Sequence, residues 1–261
     1  MDQLDLLDIK ITSCSKEELN QYICRVIDEQ RKEVVLNVNI YCMNLCYIHK
    51  WLRSFLNSSE VVFCDGDGVR LGAWMAGRRI KEKITYNRWV WDLAEMSASK
   101  GLSWYLLGSR PEAIKSAVKT LEGRYPELRI LGFHSGYINS EQEDAALVTE
   151  INRCRPDILI VGMGMPLQER WLTEHMSGLS VHVALTGGAI FDYVAGIIKR
   201  PPDILYKMKM EWLFRLLRSP RRLFGRYVIG NPLFLWRVIL HHWLRVGLEQ
   251  KGSKQEELVK P

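Results

Sequence analysis

One pattern constrains this chain more than any other. Short apolar runs alternate with amphipathic stretches, and several of the runs end in a glycine-bearing turn. The runs lie at residues 34–38, 61–64, 102–107, 128–133, 157–161 and 181–185, and helical stretches are expected at 41–56, 111–123 and 168–176. Nearly continuous apolar runs of this length read as strands covered on both faces. Parallel strands need a helical crossover between them. The pattern therefore predicts an α/β fold, a Rossmann-like, mostly parallel sheet. Pro111, directly after Ser109-Arg110, fits the first position of a helix.

Beyond Gly196 the strand signal disappears. Pro201-Pro202 marks a boundary, and helices are expected at 203–217 and 220–248, the second broken at Gly225 or at Gly230-Asn231-Pro232. The expected organisation is an α/β core at 1–196, a helical appendage at 197–251 and a polar, disordered tail at 252–261. A chain of 261 residues has room for one such core and its appendage.

Charge separates the two parts. The net charge of +6 is unevenly distributed: residues 196–251 hold twelve Lys/Arg against three acids, and the remainder is net acidic. The same segment carries Trp212, Phe214, Phe224, Tyr227, Phe234, Trp236 and Trp243. Cations and aromatic rings on amphipathic helices suit a membrane interface, with rings at headgroup level and cations against anionic lipid. A basic face on core helices is the plainer reading. No helix-turn-helix or RNA-recognition signature supports nucleic acid. The six cysteines form no CxxC or Cys/His metal spacing and read as small buried hydrophobes, with Cys42 and Cys46 on one helix face. The acidic N-terminus lacks a secretory signal, so a cytoplasmic location is expected. No long uncharged apolar run predicts a membrane span.

Four glycine turns follow expected strands: Asp65-Gly66-Asp67-Gly68, Gly108-Ser109, Gly162-Met163-Gly164-Met165-Pro166 and Thr186-Gly187-Gly188. At the carboxyl ends of parallel strands such turns let backbone N–H groups approach a phosphate. Together they point to a nucleotide or another anionic ligand. None matches Walker A, and the Gly162/Gly164 pair lacks the third glycine of the dinucleotide fingerprint. Asp65 is placed to face the crevice as a general base, or to act as a turn or cap residue. Asp65-Gly66-Asp67 also has the form of a metal-nucleotide clamp. Glu169 fits a helix first turn, and Asp192 an ordinary helical position. Arg215, Arg221, Arg222 and Arg226 suit a diphosphate or lipid headgroups through forked hydrogen bonds.

The order of these motifs resembles the WecG/TagA/CpsF glycosyltransferase family. The matching stretches are CDGDGV (64–69), LLGSRPEAI (106–114), YPELRILGFHSGYI (125–138), RPDILIVGMGMPLQERW (155–171), TGGAIFDYVAGIIKRPP (186–202) and EWLFRLLRSPRRLFGRY (211–227). The resemblance implies a membrane-docking appendage on the inner face of the cell membrane. It implies inverting transfer of a hexose or N-acetylhexosamine from a UDP-sugar to a polyprenyl-diphosphate-linked glycan, in making a bacterial cell-surface polysaccharide. Asp65 then matches the base, Gln168 an active-site amide, Lys83 a basic residue near the site, and Tyr137 and Asp192 positions near the nucleotide. Arg215 and Arg222 match arginines that neutralise the leaving diphosphate. The family resemblance implies no metal and no cofactor, which discounts the clamp.

Three departures stand out. The family's early Thr-x-Asn reads Asn37-Val38-Asn39, so Asn37 replaces an active-site threonine. A Val-x-Gly-x-Asp stretch reads Ile84-Thr85-Tyr86-Asn87-Arg88, and Gly225 precedes Arg226 where a second arginine often stands. Two other readings stay open: a Rossmann-like enzyme using NAD or S-adenosylmethionine, and a non-catalytic membrane adaptor. The apolar appendage helices could also self-associate away from lipid.

Overall fold

The computed structural model describes the backbone of residues 1–257 and the side chains of residues 1–243. Eight strands form one sheet: β1 (Asp2–Leu6), β2 (Ile9–Ser13), β3 (Glu33–Val38), β4 (Val61–Cys64), β5 (Ser103–Gly108), β6 (Arg129–His134), β7 (Ile158–Gly162) and β8 (Val183–Thr186). Their order is β1-β2-β4-β3-β8-β7-β5-β6. Only the β1/β2 hairpin is antiparallel. The mostly parallel α/β sheet is as expected. The central strands β5, β7 and β8 are buried along their whole length, which is why they read as unbroken apolar runs.

Thirteen helices are described: α1 (Lys16–Asp28), α2 (Ile40–Ile48), α3 (Lys50–Ser58), α4 (Asp67–Met75), α5 (Tyr86–Lys100), α6 (Pro111–Arg124), α7 (Glu141–Cys154), α8 (Leu167–His175), α9 (Ile190–Val194), α10 (Asp203–Lys207), α11 (Glu211–Arg218), α12 (Pro220–Phe224) and α13 (Gly230–Glu257). Pro111 opens α6, and Cys42 and Cys46 are both buried on α2. The single helix expected at 41–56 is two. His49 takes an extended conformation between α2 and α3, closing one helix through its N–H to Leu45 O and opening the next. The helix expected at 203–217 is also interrupted, because Lys209 sits at φ +60° between α10 and α11. The break expected at Gly225 or Gly230 is a π-helical turn, Gly225–Ile229, that joins α12 to α13. Such a widened turn re-aims side chains without ending the helix. In the polar stretch from 252 the backbone is helical as far as Glu257, and 258–261 lie outside the described residues.

The start of α13 is a core element. Phe234 and Val238 are fully buried and join Leu36, Val38, Cys42, Val69 and Ala73 in one cluster. Burying two such side chains contributes roughly 4 kcal/mol before entropy. Gly72 of α4 makes this approach possible, since a Cβ there would stand 2.7 Å from the Phe234 ring. Polar links reinforce it. Asn44 Nδ2 donates to Gly230 O at 2.8 Å, and Arg237 donates to Asn44 Oδ1 at 2.7 Å. No described helix is long and apolar enough to cross a membrane.

Candidate active site

The site forms at the carboxyl ends of β3, β4, β7 and β8, where an open parallel sheet presents its crevice. Asn37 and Asn39 leave β3, Asp65 follows β4, Gly164 follows β7, and Gly187-Gly188 follow β8. Helices α11 and α12 and the π turn form the opposite wall and bring in Arg215, Arg222 and Arg226.

Asp65 is the centre of this arrangement. Its N–H donates to Val38 O at 2.8 Å, and its carboxylate accepts from Asn37 Nδ2 at 3.2 Å. Asn37 Oδ1 in turn accepts from Thr186 Oγ1 at 3.0 Å. The amide at 37 is therefore held from behind and points its N–H at the acid. Burial pushes the Asp65 carboxyl up to about 6. Arg215 opposes the shift, Glu211 adds to it, and Arg226 and Lys83 oppose it.

Two cavities meet at this carboxylate. One, of about 430 Å³, is lined by the glycine turns at 164 and 187–188, by Asn37, and by Arg222. The other, of about 820 Å³, extends past Gly66 and Asp67 to the outer face of α4. Asn39, Tyr41, Asp65, Thr85, Arg215 and Arg226 face both.

Several expected residues stand behind the cavity walls rather than on them. Gln168 is fully buried. Its Oε1 accepts from Gly164 N–H at 3.1 Å and from Gly188 N–H at 2.9 Å, so one amide fixes two of the turns. Its Nε2 donates to Glu169 Oε1 at 2.7 Å. Glu169 is equally buried, and burial raises its carboxyl to about 7. Pro166, after a cis peptide bond, leads into α8. Lys83 is buried between Asp67 Oδ2 (2.6 Å) and Glu211 Oε2 (2.9 Å). Burial opposes its charge, but these two hydrogen bonds outweigh burial and raise its pKa. Asp67 is thus occupied by a lysine, which leaves the Asp65-Gly66-Asp67 turn without the paired free carboxylates of a metal clamp.

Gly108, Ser109 and Tyr137, at the ends of β5 and β6, form a neighbouring cluster with Asp192 of α9. Ser109 Oγ donates to Asp192 Oδ1 at 2.6 Å, and its carbonyl accepts from Gly136 N–H at 2.9 Å. Gly108 has φ +148°, and a Cβ there would meet Gly162 O at 2.3 Å, so the two turns touch backbone to backbone. Tyr137 is exposed beside them.

The sequence reading missed Thr85, Tyr86, Asn87 and Tyr193 as wall residues of the smaller cavity. Thr85 Oγ1 and Asn87 Oδ1 are buried without a hydrogen-bond partner, as is Arg215 Nε on the facing wall. The departure at 84–88 signalled only Tyr86, which stands at the family's glycine position; Thr85 and Asn87 fall at positions that the family's pattern leaves unspecified. Arg215 stacks on Tyr193 at 5.4 Å, and Arg226 on Tyr41 at 4.7 Å.

The chain is 27% identical over 204 residues to an N-acetylglucosaminyldiphosphoundecaprenol N-acetyl-beta-D-mannosaminyltransferase of Staphylococcus aureus (strain MW2), covering 78% of each chain. It is 28% identical over 167 residues, 64% of each chain, to the protein of the same name in Bacillus subtilis (strain 168). The model of the glycosyl transferase WecG/TagA/CpsF family matches residues 4–247. A parallel sheet with its glycine turns gathered around one half-buried aspartate, matched over nearly its whole length, makes this chain a glycosyltransferase of the WecG/TagA/CpsF family.

Proposed function

We propose that this enzyme transfers a hexose or N-acetylhexosamine from a UDP-sugar to a glycan carried on a polyprenyl diphosphate, with inversion at the anomeric carbon. The observation that carries the proposal is the meeting of two cavities at Asp65. An inverting displacement needs donor and acceptor on opposite sides of the reacting carbon and a base on the acceptor side.

In the smaller cavity the glycine turns and Arg222 suit the donor diphosphate. The Ser109–Asp192 pair and exposed Tyr137 lie beside it and suit the nucleoside. The acceptor hydroxyl gives its proton to Asp65. Its oxygen forms the new bond to the anomeric carbon, while the carbon–oxygen bond to the diphosphate breaks and UDP leaves with the electron pair. Arg215, Arg222 and Arg226 meet the charge that grows on the leaving group. Asn37 orients the Asp65 carboxylate, and Asn39, whose Oδ1 caps α2 through Cys42 N–H, holds the loop beside it. Gln168 and Glu169 act through the turns they fix.

The relatives' N-acetylmannosaminyl transfer to an undecaprenyl-linked acceptor supports this reading and makes UDP-N-acetylmannosamine the first donor to test. The enzyme works at the inner membrane surface. Its appendage presents exposed Leu217, Phe224, Ile229, Trp236 and Trp243 among arginines, which suits peripheral association. A panel of nucleotide sugars tests the donor directly. Selective thermal stabilisation by UDP or one UDP-sugar is the expected result. Stabilisation by NAD or S-adenosylmethionine in its place would overturn the assignment.

A further inference from the structure

The larger cavity carries chemistry that donor binding leaves unused. Three arginines of the core converge on it from one short segment: Arg70 on α4, and Arg78 and Arg79 in the turn that follows. The acids that share this cavity are already engaged. Asp67 and Glu211 are held by Lys83, and Asp65 by Asn37. Arg70 stands 3.9 Å from Asp67. Among the described residues neither Arg78 nor Arg79 has an ion-pair partner. Arg78 and Arg79, adjacent and without an ion-pair partner of their own, repel one another, and a polyvalent anion relieves that repulsion through forked hydrogen bonds. Beside them on α4, Leu71 and Trp74 are 45% and 65% exposed and line the same cavity. A diphosphate bearing a hydrocarbon chain uses both.

We propose that the larger cavity seats the lipid carrier of the acceptor, with Arg70, Arg78 and Arg79 holding the polyprenyl diphosphate and Leu71 and Trp74 guiding the start of its chain outward. This rests on the reading of Asp65 as the base that meets the acceptor hydroxyl. The carrier's diphosphate then lies on the side of Asp65 away from the donor turns. The core, and not the appendage alone, selects the lipid.

Isothermal titration of the full chain with farnesyl diphosphate, a short carrier analogue without sugar, tests the proposal. Inorganic diphosphate, farnesol and UDP serve as separate titrants. Farnesyl diphosphate is expected to bind at least tenfold more tightly than inorganic diphosphate or farnesol. The double variant Arg78→Gln/Arg79→Gln should weaken it about tenfold or more while leaving the Kd for UDP within twofold. Trp74→Ala should weaken farnesyl diphosphate several-fold and leave inorganic diphosphate unchanged. Equal affinity of wild type and double variant for farnesyl diphosphate would overturn the proposal. So would a defect confined to phosphatidylglycerol vesicles, which would assign these arginines to bulk lipid headgroups. Should UDP fail to bind while farnesyl diphosphate behaves as expected, the donor reading falls and the carrier site stands. If wild type does not bind farnesyl diphosphate, the carrier site falls whatever UDP does.

Discussion

A carboxylate takes a proton from a sugar hydroxyl only if it is ionised, desolvated enough to be basic, and held in place. Asp65 meets these conditions through burial and the Asn37–Thr186 relay. Its carboxyl, raised to about 6, predicts a pH profile in which kcat/KM climbs through pH 6 and levels off above it. Asp65→Asn should lower turnover about 10²- to 10⁴-fold while UDP binding persists. The same shift affects stability in the opposite sense. A carboxyl raised on folding favours the neutral form, so its contribution is complete below the ordinary value of 3.8 and is lost as pH rises through about 6. Asp65→Asn is therefore expected to be more stable than wild type at pH 7, by on the order of 1 kcal/mol, with the gap closing below pH 4 in denaturant titrations. Gln168→Ala removes the acceptor of two backbone N–H groups. It should cost about 2 kcal/mol and raise the KM for donor, whereas a substrate-contacting amide would leave stability unmoved. The role of Gln168 was not legible in the sequence. Its position in a motif marks it as important, but only the fold shows that its amide faces two turns and not the cavity.

At the scale of elements, strands and their turns were the most legible part, because parallel strands buried on both faces leave long apolar runs and their ends carry glycines. The runs near 61–64 and 102–107 lie within a residue of β4 and β5. Helices were harder to bound. His49 and Lys209 break helical patterns through backbone conformation alone, which hydrophobic spacing does not encode. The polar wall from Thr85 to Asn87 was not legible, since the departure from the family's pattern falls on Tyr86 and Arg88, and sequence does not show that Thr85 and Asn87 beside them turn toward a cavity. The contact of α4 with α13 depends on Gly72. Gly72→Ala would put a methyl group 2.7 Å from the Phe234 ring, a buried overlap expected to cost about 1–3 kcal/mol. Limited proteolysis should then cut residues 219–230 faster than in wild type, with the sheet still protected.

Over the whole molecule, the appendage is attached by three kinds of contact. Lys83 and Arg88 reach across to Glu211 and Asp203, Tyr206 lies against both cations, and α13 enters the core through Phe234 and Val238. The arginines that face the smaller cavity are thus delivered by the same segment that presents exposed tryptophans to its surroundings. Binding to phosphatidylglycerol vesicles is expected to be strong at low salt and to weaken steeply between 0.05 and 0.5 M salt, roughly as screening of several surface cations requires. Binding that ignores salt and lipid charge would contradict a cationic docking face. Every role proposed for the site depends on Asp65 deprotonating a lipid-carried acceptor toward a UDP-sugar. The most direct test is single-turnover transfer from UDP-N-acetylmannosamine to a short-chain polyprenyl-diphosphate-linked N-acetylglucosamine, followed against pH for wild type and Asp65→Asn. Wild type is expected to form the glycoside with an apparent pKa near 6, and the variant to lose both the rate and its pH dependence despite bound UDP. Transfer by Asp65→Asn at the wild-type rate and with the same pH profile would contradict that role for Asp65.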